Sequence, residues 1–390
     1  MTAIEHLYVH VPFCRRHCPY CDYAVFAEGS PDLEGWIEAL SCELRLREAE
    51  GVSLSKLETL LVGGGTPSVF GIGVVQGIIS ILGSDRLGGV EEWTVEANPE
   101  DVDSELLEVW REAGVTRVNI GLQSLRDSAL DWLGRLHSPS QARSAVRLIH
   151  ESRIPSWGVD LLFGLPEEVD PDPVWSLEKV IAMDVPHVSL YELVVERGTP
   201  IGTKVRSGEV RLADDDRRAD QYLALCRVLD AAGYEAYEMT AFARRGHQSR
   251  HALAVLEGRS WLGLGPGAHS NLTGGHSWNL RDWRGYSTAV TKGLLPETTD
   301  PIKGAGADSP ERLWFRLRRS EGILRADLGS RAWKIADAWV QRGLAVDDPL
   351  RVRLTPQGWL RLDELSTELA RVEVGVDTSS RALARQICDD

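Results

Sequence analysis

The sequence predicts an α/β fold, a partial (β/α)6 TIM-like barrel carrying a small C-terminal winged-helix-like α+β domain. Three observations predict it. Apolar strand-like runs alternate with helical patterns through the first 200 residues. The unusual polar residues collect at or near the ends of those strands. A different order of elements then follows a stretch at 296–310 rich in Pro, Gly, Thr and Asp, which reads as a linker.

Strands are predicted near 7–11, 57–62, 93–96, 117–122, 158–163 and 188–193, with helices between them at 33–47, 104–112, 141–151 and 174–183. That alternation implies parallel βαβ units. Three cysteines follow strand one, and Gly63-Gly64-Gly65-Thr66-Pro67 follows strand two. Glu96 and Asn98 end strand three, Gln123 ends strand four, Asp160 lies in strand five, and Tyr191 and Glu192 in strand six. Chemistry at the carboxyl ends of successive strands is the habit of an α/β barrel, whereas a doubly wound sheet concentrates it at one switch point. Six units are too few to close eight strands, hence a partial barrel. A helix at 214–232, an extra strand at 234–243 and the glycine loop Gly263-Leu264-Gly265-Pro266-Gly267 come next. Helical patterns at 310–318 and 331–342, an apolar strand and turn at 344–354, and a helix from Thr355 complete the winged-helix-like pattern. The expected divisions are 1–240 for the core barrel, 241–300 for a barrel-closing extension and 301–390 for the C-terminal domain.

With 390 residues, 43 % hydrophobic, the chain is long enough to bury a core without staples. Its net charge of −15 argues against nucleic acid and anionic membranes as partners. No basic leader and no apolar run of spanning length is visible, although contact with a membrane surface stays open. Three of the six cysteines crowd into eight residues, unlike the paired spread of a secreted disulfide framework, so a reducing cytoplasm is expected.

Those three, Cys14, Cys18 and Cys21, form CxxxCxxC. Thiolates suit iron–sulfur clusters or zinc. A structural zinc site wants four ligands, usually as two separated pairs, and no second pair is present. Buried inert thiols are the bland alternative. Three thiolates on a four-iron cubane leave one iron open to chelation by the amino and carboxylate groups of a methionine moiety, a geometry for one-electron cleavage of a sulfonium. The glycine run 42 residues after Cys21 reads either as a tight turn or as a backbone that can approach that moiety closely. His17, inside the loop, is not needed by this spacing.

The stretches YVHVPFCRRHCPYCDY at 8–23, VGGGTPS, EANPE, RVNIGLQSL, LGRLH at 133–137, DLLFGLP, HVSLYEL and LGLGPGAHS follow one another over 8–270. In this order they resemble the radical SAM superfamily, within it the oxygen-independent coproporphyrinogen III oxidase-like group, and most of all the HemW family of heme chaperones. The resemblance implies a 4Fe-4S cluster on Cys14, Cys18 and Cys21. It implies an S-adenosylmethionine site lined by Tyr8, Gly64, Gly65, Thr66, Glu96, Gln123, Arg135 and Asp160, together with Tyr20. Glu96 and Asp160 would accept hydrogen bonds from ribose hydroxyls or the amino group, and Arg135 would pair with the methionine carboxylate. A bulky residue at Gly64 or Gly65 would remove S-adenosylmethionine binding and leave iron nearly intact.

Three functions share such a scaffold. The oxidase usually carries a fourth cysteine two residues after the third; here Tyr23 stands there, and seven residues precede Tyr8, so no coproporphyrinogen oxidase activity is expected. The chaperone family carries an HNxxYW-like stretch connected with heme. In the matching segment His251 remains, while Ala252, Val255 and Leu256 replace the other three residues. His251 is thus the candidate heme ligand, with Trp261 and its neighbours supplying a flat apolar slot. A radical methyltransferase of the HemN-like type is the alternative. The implied partners are heme, a heme-acceptor protein and an electron donor such as flavodoxin or ferredoxin.

Overall fold

The computed structural model describes residues 2–27, 29–272, 275–298, 302–303 (backbone) and 310–373. The linker stretch expected at 296–310 falls largely outside these residues, as does Cys388.

Six parallel strands form the centre of one twelve-stranded sheet: β1 (His6–Val11), β2 (Thr59–Gly64), β3 (Glu92–Ala97), β4 (Arg117–Gln123), β5 (Ser156–Phe163) and β6 (His187–Glu192). They pair in chain order. The helices α1 (Leu33–Ala49), α2 (Gly73–Leu82), α3 (Ser104–Ala113), α4 (Pro139–Glu151) and α5 (Pro173–Ala182) make the five crossovers. Asp32 caps α1 and Asp103 caps α3 through their side chains. A full capping box at Ser138 and Gln141, with Pro139 in the first turn, starts α4 two residues before the expected point.

The pleat sorts the side chains. Leu7, Val9 and Val11 of β1, Leu60 and Val62 of β2, and Val118 and Ile120 of β4 point outward and are almost fully buried in the main core. The alternate residues, among them Tyr8, His10, Thr94, Glu96, Asn119, Asp160 and Ser189, line a cavity on the concave face. Barrel interiors are usually filled with branched apolar side chains. This one is hollow and carries polar side chains among its lining, with a cavity of about 960 Å³.

The sheet runs on past both edges. On one side β8 (Ala241–Ala243) pairs antiparallel with β6, and β7 (Glu235–Ala236) pairs with β8, so the single strand expected at 234–243 is a short hairpin. On the other side β9 (Trp261–Leu264) lies parallel to β1, a seventh parallel strand that a run of four residues leading into a glycine loop does not announce. β10 (His269–Leu272), β11 (Gly275–Trp278) and β12 (Ile302–Lys303) continue antiparallel. The sheet ends at β7 and β12, leaving the barrel open. Helices α6 (Asp215–Ala231), α7 (Arg250–Leu256) and α8 (Trp283–Thr291) pack around it. The C-terminal part holds α9 (Pro310–Arg318), β13 (Ile323–Leu324), α10 (Ser330–Gln341), β14 (Arg351–Val352) and α11 (Leu362–Glu373). β13 and β14 form a two-stranded antiparallel sheet, and Leu317, Trp339, Leu365 and Leu369 are buried between the helices.

A buried cluster ties α1 to the extension. Glu43, fully buried, accepts hydrogen bonds from the Gly265 N–H (2.9 Å), Asn279 Nδ2 (2.8 Å) and Tyr286 OH (2.7 Å), and pairs with Arg47. This fixes the glycine loop after β9 beside β1.

Candidate functional site

The cysteine loop leaves β1 and is held at its return, where the Cys14 N–H donates to the Phe26 carbonyl (3.3 Å). Cys14, Cys18 and Cys21 are half-buried and all line the cavity. Cys42 on α1 and the buried Cys226 on α6 do not. His17 Nε2 lies 3.0 Å from the Cys21 carbonyl, so His17 braces the loop. A tetrahedral zinc ion with Zn–S of about 2.3 Å would draw its thiolates to about 3.8 Å from one another. Among the described residues the one group of three metal-ligating side chains within 4.8 Å of each other is Glu5, His6 and Glu58, and Arg259 already pairs with both carboxylates there. The three cysteine thiols do not form such a group, and three thiolates on one loop suit a cluster that keeps one iron open better than a closed four-ligand zinc site. Burial pushes the Cys14 thiol up to about 12, so a thiolate there would need the positive charge of a bound cluster to form.

The glycine run locks onto this loop. The Gly65 N–H donates to the Val11 carbonyl and the Thr66 N–H to the Phe13 carbonyl, each at 2.8 Å. A Cβ on Gly65 would lie 2.7 Å from both carbonyl oxygens and 3.1 Å from Cys14 Sγ. Gly64 has φ +101°, and its Cβ would meet the His10 ring at 2.4 Å. Gly65 is thus required by contact with the cysteine loop, and Gly64 by contact with the His10 ring of β1.

A polar chain joins two of the cysteines. Thr66 Oγ1 donates to Cys14 Sγ (3.3 Å) and accepts from Asn98 Nδ2 (3.3 Å). Asn98 Oδ1 accepts from Arg135 Nη2 (2.5 Å), and Arg135 Nη1 reaches Cys18 Sγ (3.7 Å). Arg135 also donates to the Gly121 carbonyl (3.0 Å), which leaves its Nε buried without a partner among the described residues. Sequence reasoning gave Asn98 no role; an asparagine before proline at a strand's carboxyl end was the available signal.

Glu96 and Asp160 both line the cavity, on strands separated by β4, and near enough for Asp160 to act on Glu96. Burial, with Asp160 nearby, pushes the Glu96 carboxyl up to about 7, and burial pushes Asp160 up to about 6. Glu96 accepts the Gly64 N–H (3.1 Å), while Asp160 Oδ1 has no partner among the described residues. Gln123 sits at a register shift in β4 with φ +64°, a conformation costly for a side-chain-bearing residue and frequent at functional sites. Tyr20 packs beside the cluster of Ala129 and Leu133 and lines the same cavity. The Tyr8 hydroxyl donates to His10 Nδ1 (2.9 Å), and His10 Nε2–H donates to the Ala24 carbonyl (2.9 Å), which fixes a neutral ring whose pKa burial lowers to about 4. His10 was also missed; the alternation of His6, Tyr8 and His10 along one strand face was its signal.

The structure thus brings Cys14, Cys18, Cys21, Tyr8, Tyr20, Gly64, Gly65, Thr66, Glu96, Gln123, Arg135 and Asp160 to one cavity, mostly at its carboxyl-end mouth. His251 lines the cavity from the opposite end. It starts α7 beside the first residue of β2, with Nδ1 2.9 Å from Thr59 Oγ1, its backbone N–H on Glu92 (2.9 Å), and 4 % of its surface exposed. Thr59 bonds His6 in turn, and burial lowers the His251 pKa to about 3.

Comparison with known proteins agrees with this geometry. Residues 8–180 match the model of the radical SAM superfamily. The chain is 34 % identical over 361 residues to heme chaperone HemW of Mycobacterium tuberculosis, covering 92 % of each chain. It is 33 % identical over 271 residues to heme chaperone HemW of Escherichia coli, covering 68 % of this chain and 70 % of that one. Among solved structures, coproporphyrinogen III oxidase (HemN) from Escherichia coli, described as a radical SAM enzyme, superposes with a TM-score of 0.75 at 18 % identity, over 95 % of this chain and 90 % of that one. That likeness is one of fold.

Proposed function

The chain belongs to the radical SAM superfamily and, within it, to the HemW family, and from that premise we propose that it is a heme chaperone that binds heme and delivers it to an acceptor protein. The observation that carries the proposal is the shared cavity. The cysteine loop forms its mouth, and its side wall is aromatic and apolar, built from Trp261, Trp278, Val255 and Leu256. The replacements in the HNxxYW-like stretch, Ala252, Val255 and Leu256, all face this cavity. They keep the wall apolar, which suits a flat macrocycle.

In this reading Cys14, Cys18 and Cys21 hold a 4Fe-4S cluster, which supplies one-electron chemistry toward S-adenosylmethionine when bound. Gly64, Gly65 and Thr66 seat the methionine moiety against the loop. Glu96, with its neighbour Asp160, takes the ribose hydroxyls or the amino group, and Gln123 and Tyr20 close the sides. Arg135 holds Cys18 and Asn98 in register and turns its remaining donors to the carboxylate. His251, with the cavity's other imidazoles, is the ligand candidate for heme iron. A flavodoxin or ferredoxin is the electron donor. No helix among the described residues is long and apolar enough to cross a membrane.

The test is heme transfer. Reconstituted protein loaded with hemin is mixed with an apo b-type heme protein, and the acceptor's Soret band is followed. Saturable loading and transfer at a rate distinct from that of free hemin support the proposal. No saturable hemin binding overturns it.

A further inference from the structure

The floor of the barrel, at the amino ends of β1 and β2, holds a group of side chains that the cavity's mouth does not use. Glu5, His6 and Glu58 each bring a ligand atom within 4.8 Å of those of the other two. The backbone sets them there. The Glu58 and Thr59 N–H groups both donate to the Glu5 carbonyl, at 2.7 Å and 3.0 Å, and His6 stands opposite Thr59 in the sheet register. The carboxylates thus come from the residues just before the two strands, and the imidazole from the first residue of β1.

His6 is 1 % exposed. Its Nδ1 lies 2.9 Å from Thr59 Oγ1, which lies 2.9 Å in turn from His251 Nδ1. Its Nε2 is buried without a partner among the described residues. A buried ring nitrogen left unpaired is costly, and with Nδ1 committed to Thr59 it is Nε2 that a ligand would satisfy. Anchoring of one ring nitrogen by a neighbour is also how proteins orient the other toward a metal.

Arg259 does not fill the site. Its Nη2 donates to Oε2 of Glu58 (3.1 Å) and to Oε2 of Glu5, which leaves Oε1 of each carboxylate without a partner among the described residues. One guanidinium against two carboxylates leaves one negative charge uncompensated. The Arg259 side chain is 37 % exposed, so the ion pair is weak and the guanidinium can turn out to solvent when a cation enters. Two carboxylates and one imidazole suit a first-row divalent ion, whereas Ca2+ and Mg2+ take oxygen ligands.

We propose that Glu5, His6 and Glu58 form a binding site for a first-row divalent metal ion, with His6 Nε2 and one oxygen of each carboxylate as ligands and Arg259 as the cation displaced. The ion ties the start of β1 to the start of β2 and braces the barrel at the end away from the cysteine loop.

The experiment is a Mn2+ titration of the anaerobically reconstituted full chain, read by electron paramagnetic resonance. Mn2+ favours carboxylate and imidazole over thiolate, and an oxidised cluster is silent, so the signal reports this ion alone. Iron per chain and the thermal midpoint without Mn2+ are measured on every variant to establish that the fold holds. Expected is one saturable site per chain, with imidazole nitrogen modulation of the spin echo of bound Mn2+. Glu5→Gln and Glu58→Gln should each lose at least tenfold in affinity, and His6→Gln should lose the nitrogen modulation as well. Should His6→Gln fail to fold, wild-type chain labelled with heavy nitrogen in histidine replaces it, and a changed modulation pattern supports the imidazole ligand. A gain of at least threefold in Arg259→Gln supports the displacement, and no gain overturns that part. No saturable binding, wild-type affinity in either glutamate variant, or bound Mn2+ without nitrogen modulation, an adventitious ion only, overturns the site.

Discussion

Replacing Gly65 with alanine adds a single carbon, and the structure fixes where it goes. That Cβ would stand 2.7 Å from the carbonyl oxygens of Val11 and Phe13 and 3.1 Å from Cys14 Sγ. The two nearest are backbone oxygens that cannot swing aside, so the glycine run and the cysteine loop must part. Overpacking of this kind costs about 1–3 kcal/mol. The two backbone hydrogen bonds across the seam, from Gly65 and Thr66, are stretched at the same time, at about 1 kcal/mol each. Of the resulting few kcal/mol, a share of about 3 kcal/mol falling on the bound state weakens S-adenosylmethionine binding by more than about 100-fold. Because Cys14 moves with the seam, iron occupancy falls too. The assay is iron content followed by calorimetric S-adenosylmethionine titration on the same anaerobic sample. Gly198→Ala serves as the control, since a Cβ there meets nothing within 4 Å. A Gly65→Ala protein with full iron and wild-type affinity would refute the reasoning. Loss of binding with full iron would show that the glycine serves the cofactor alone.

The Glu96 carboxyl, raised from 4.5 to about 7, is protonated in the folded chain and ionised in the unfolded chain across that window. Its contribution to stability is therefore present below about 4.5 and lost as pH rises to about 7, on the order of 1–3 kcal/mol in all. Glu96→Gln should flatten that slope in denaturant titrations of the apoprotein. Hydroxyl and ammonium donors favour the ionised carboxylate, so S-adenosylmethionine affinity should rise across the same window in wild type and not in the variant. Asn98→Ala breaks the chain between Thr66 and Arg135 and should lower iron occupancy with little change in thermal midpoint; unchanged iron would reduce the chain to surface packing. Tyr23 at the place of the oxidase's fourth cysteine predicts no protoporphyrinogen from coproporphyrinogen III in an anaerobic chromatographic assay, and its detection would reassign the protein.

The barrel was legible because its strands and crossovers carry their own periodicities: Leu7, Val9 and Val11 alternate with His6, Tyr8 and His10, and the helices between show amphipathic spacing or caps. The site residues at strand ends were legible for a related reason, since polar residues interrupting apolar runs mark a functional face. Packing decided what the sequence could not show. β9 is four residues with a glycine, and its parallel place beside β1 depends on Glu43 gripping Gly265 from α1, a contact between residues 222 apart. The close approach of Gly65 to Phe13 and Val11 is likewise a matter of two loops meeting. His251 matched a family position, yet its burial beside Thr59 is visible only once α7 is laid against β2.

The central claim is that three cysteines hold a four-iron cluster whose remaining iron takes S-adenosylmethionine. The most direct measurement is electron paramagnetic resonance of the dithionite-reduced, anaerobically reconstituted chain, before and after S-adenosylmethionine is added, with iron counted on the same sample. The account predicts about four irons per chain and a reduced-cluster signal that shifts on addition. It predicts loss of both in Cys14→Ala, Cys18→Ala and Cys21→Ala, and retention in Cys42→Ala and Cys226→Ala. Full iron in Cys18→Ala, or a wild-type signal indifferent to S-adenosylmethionine, would contradict it.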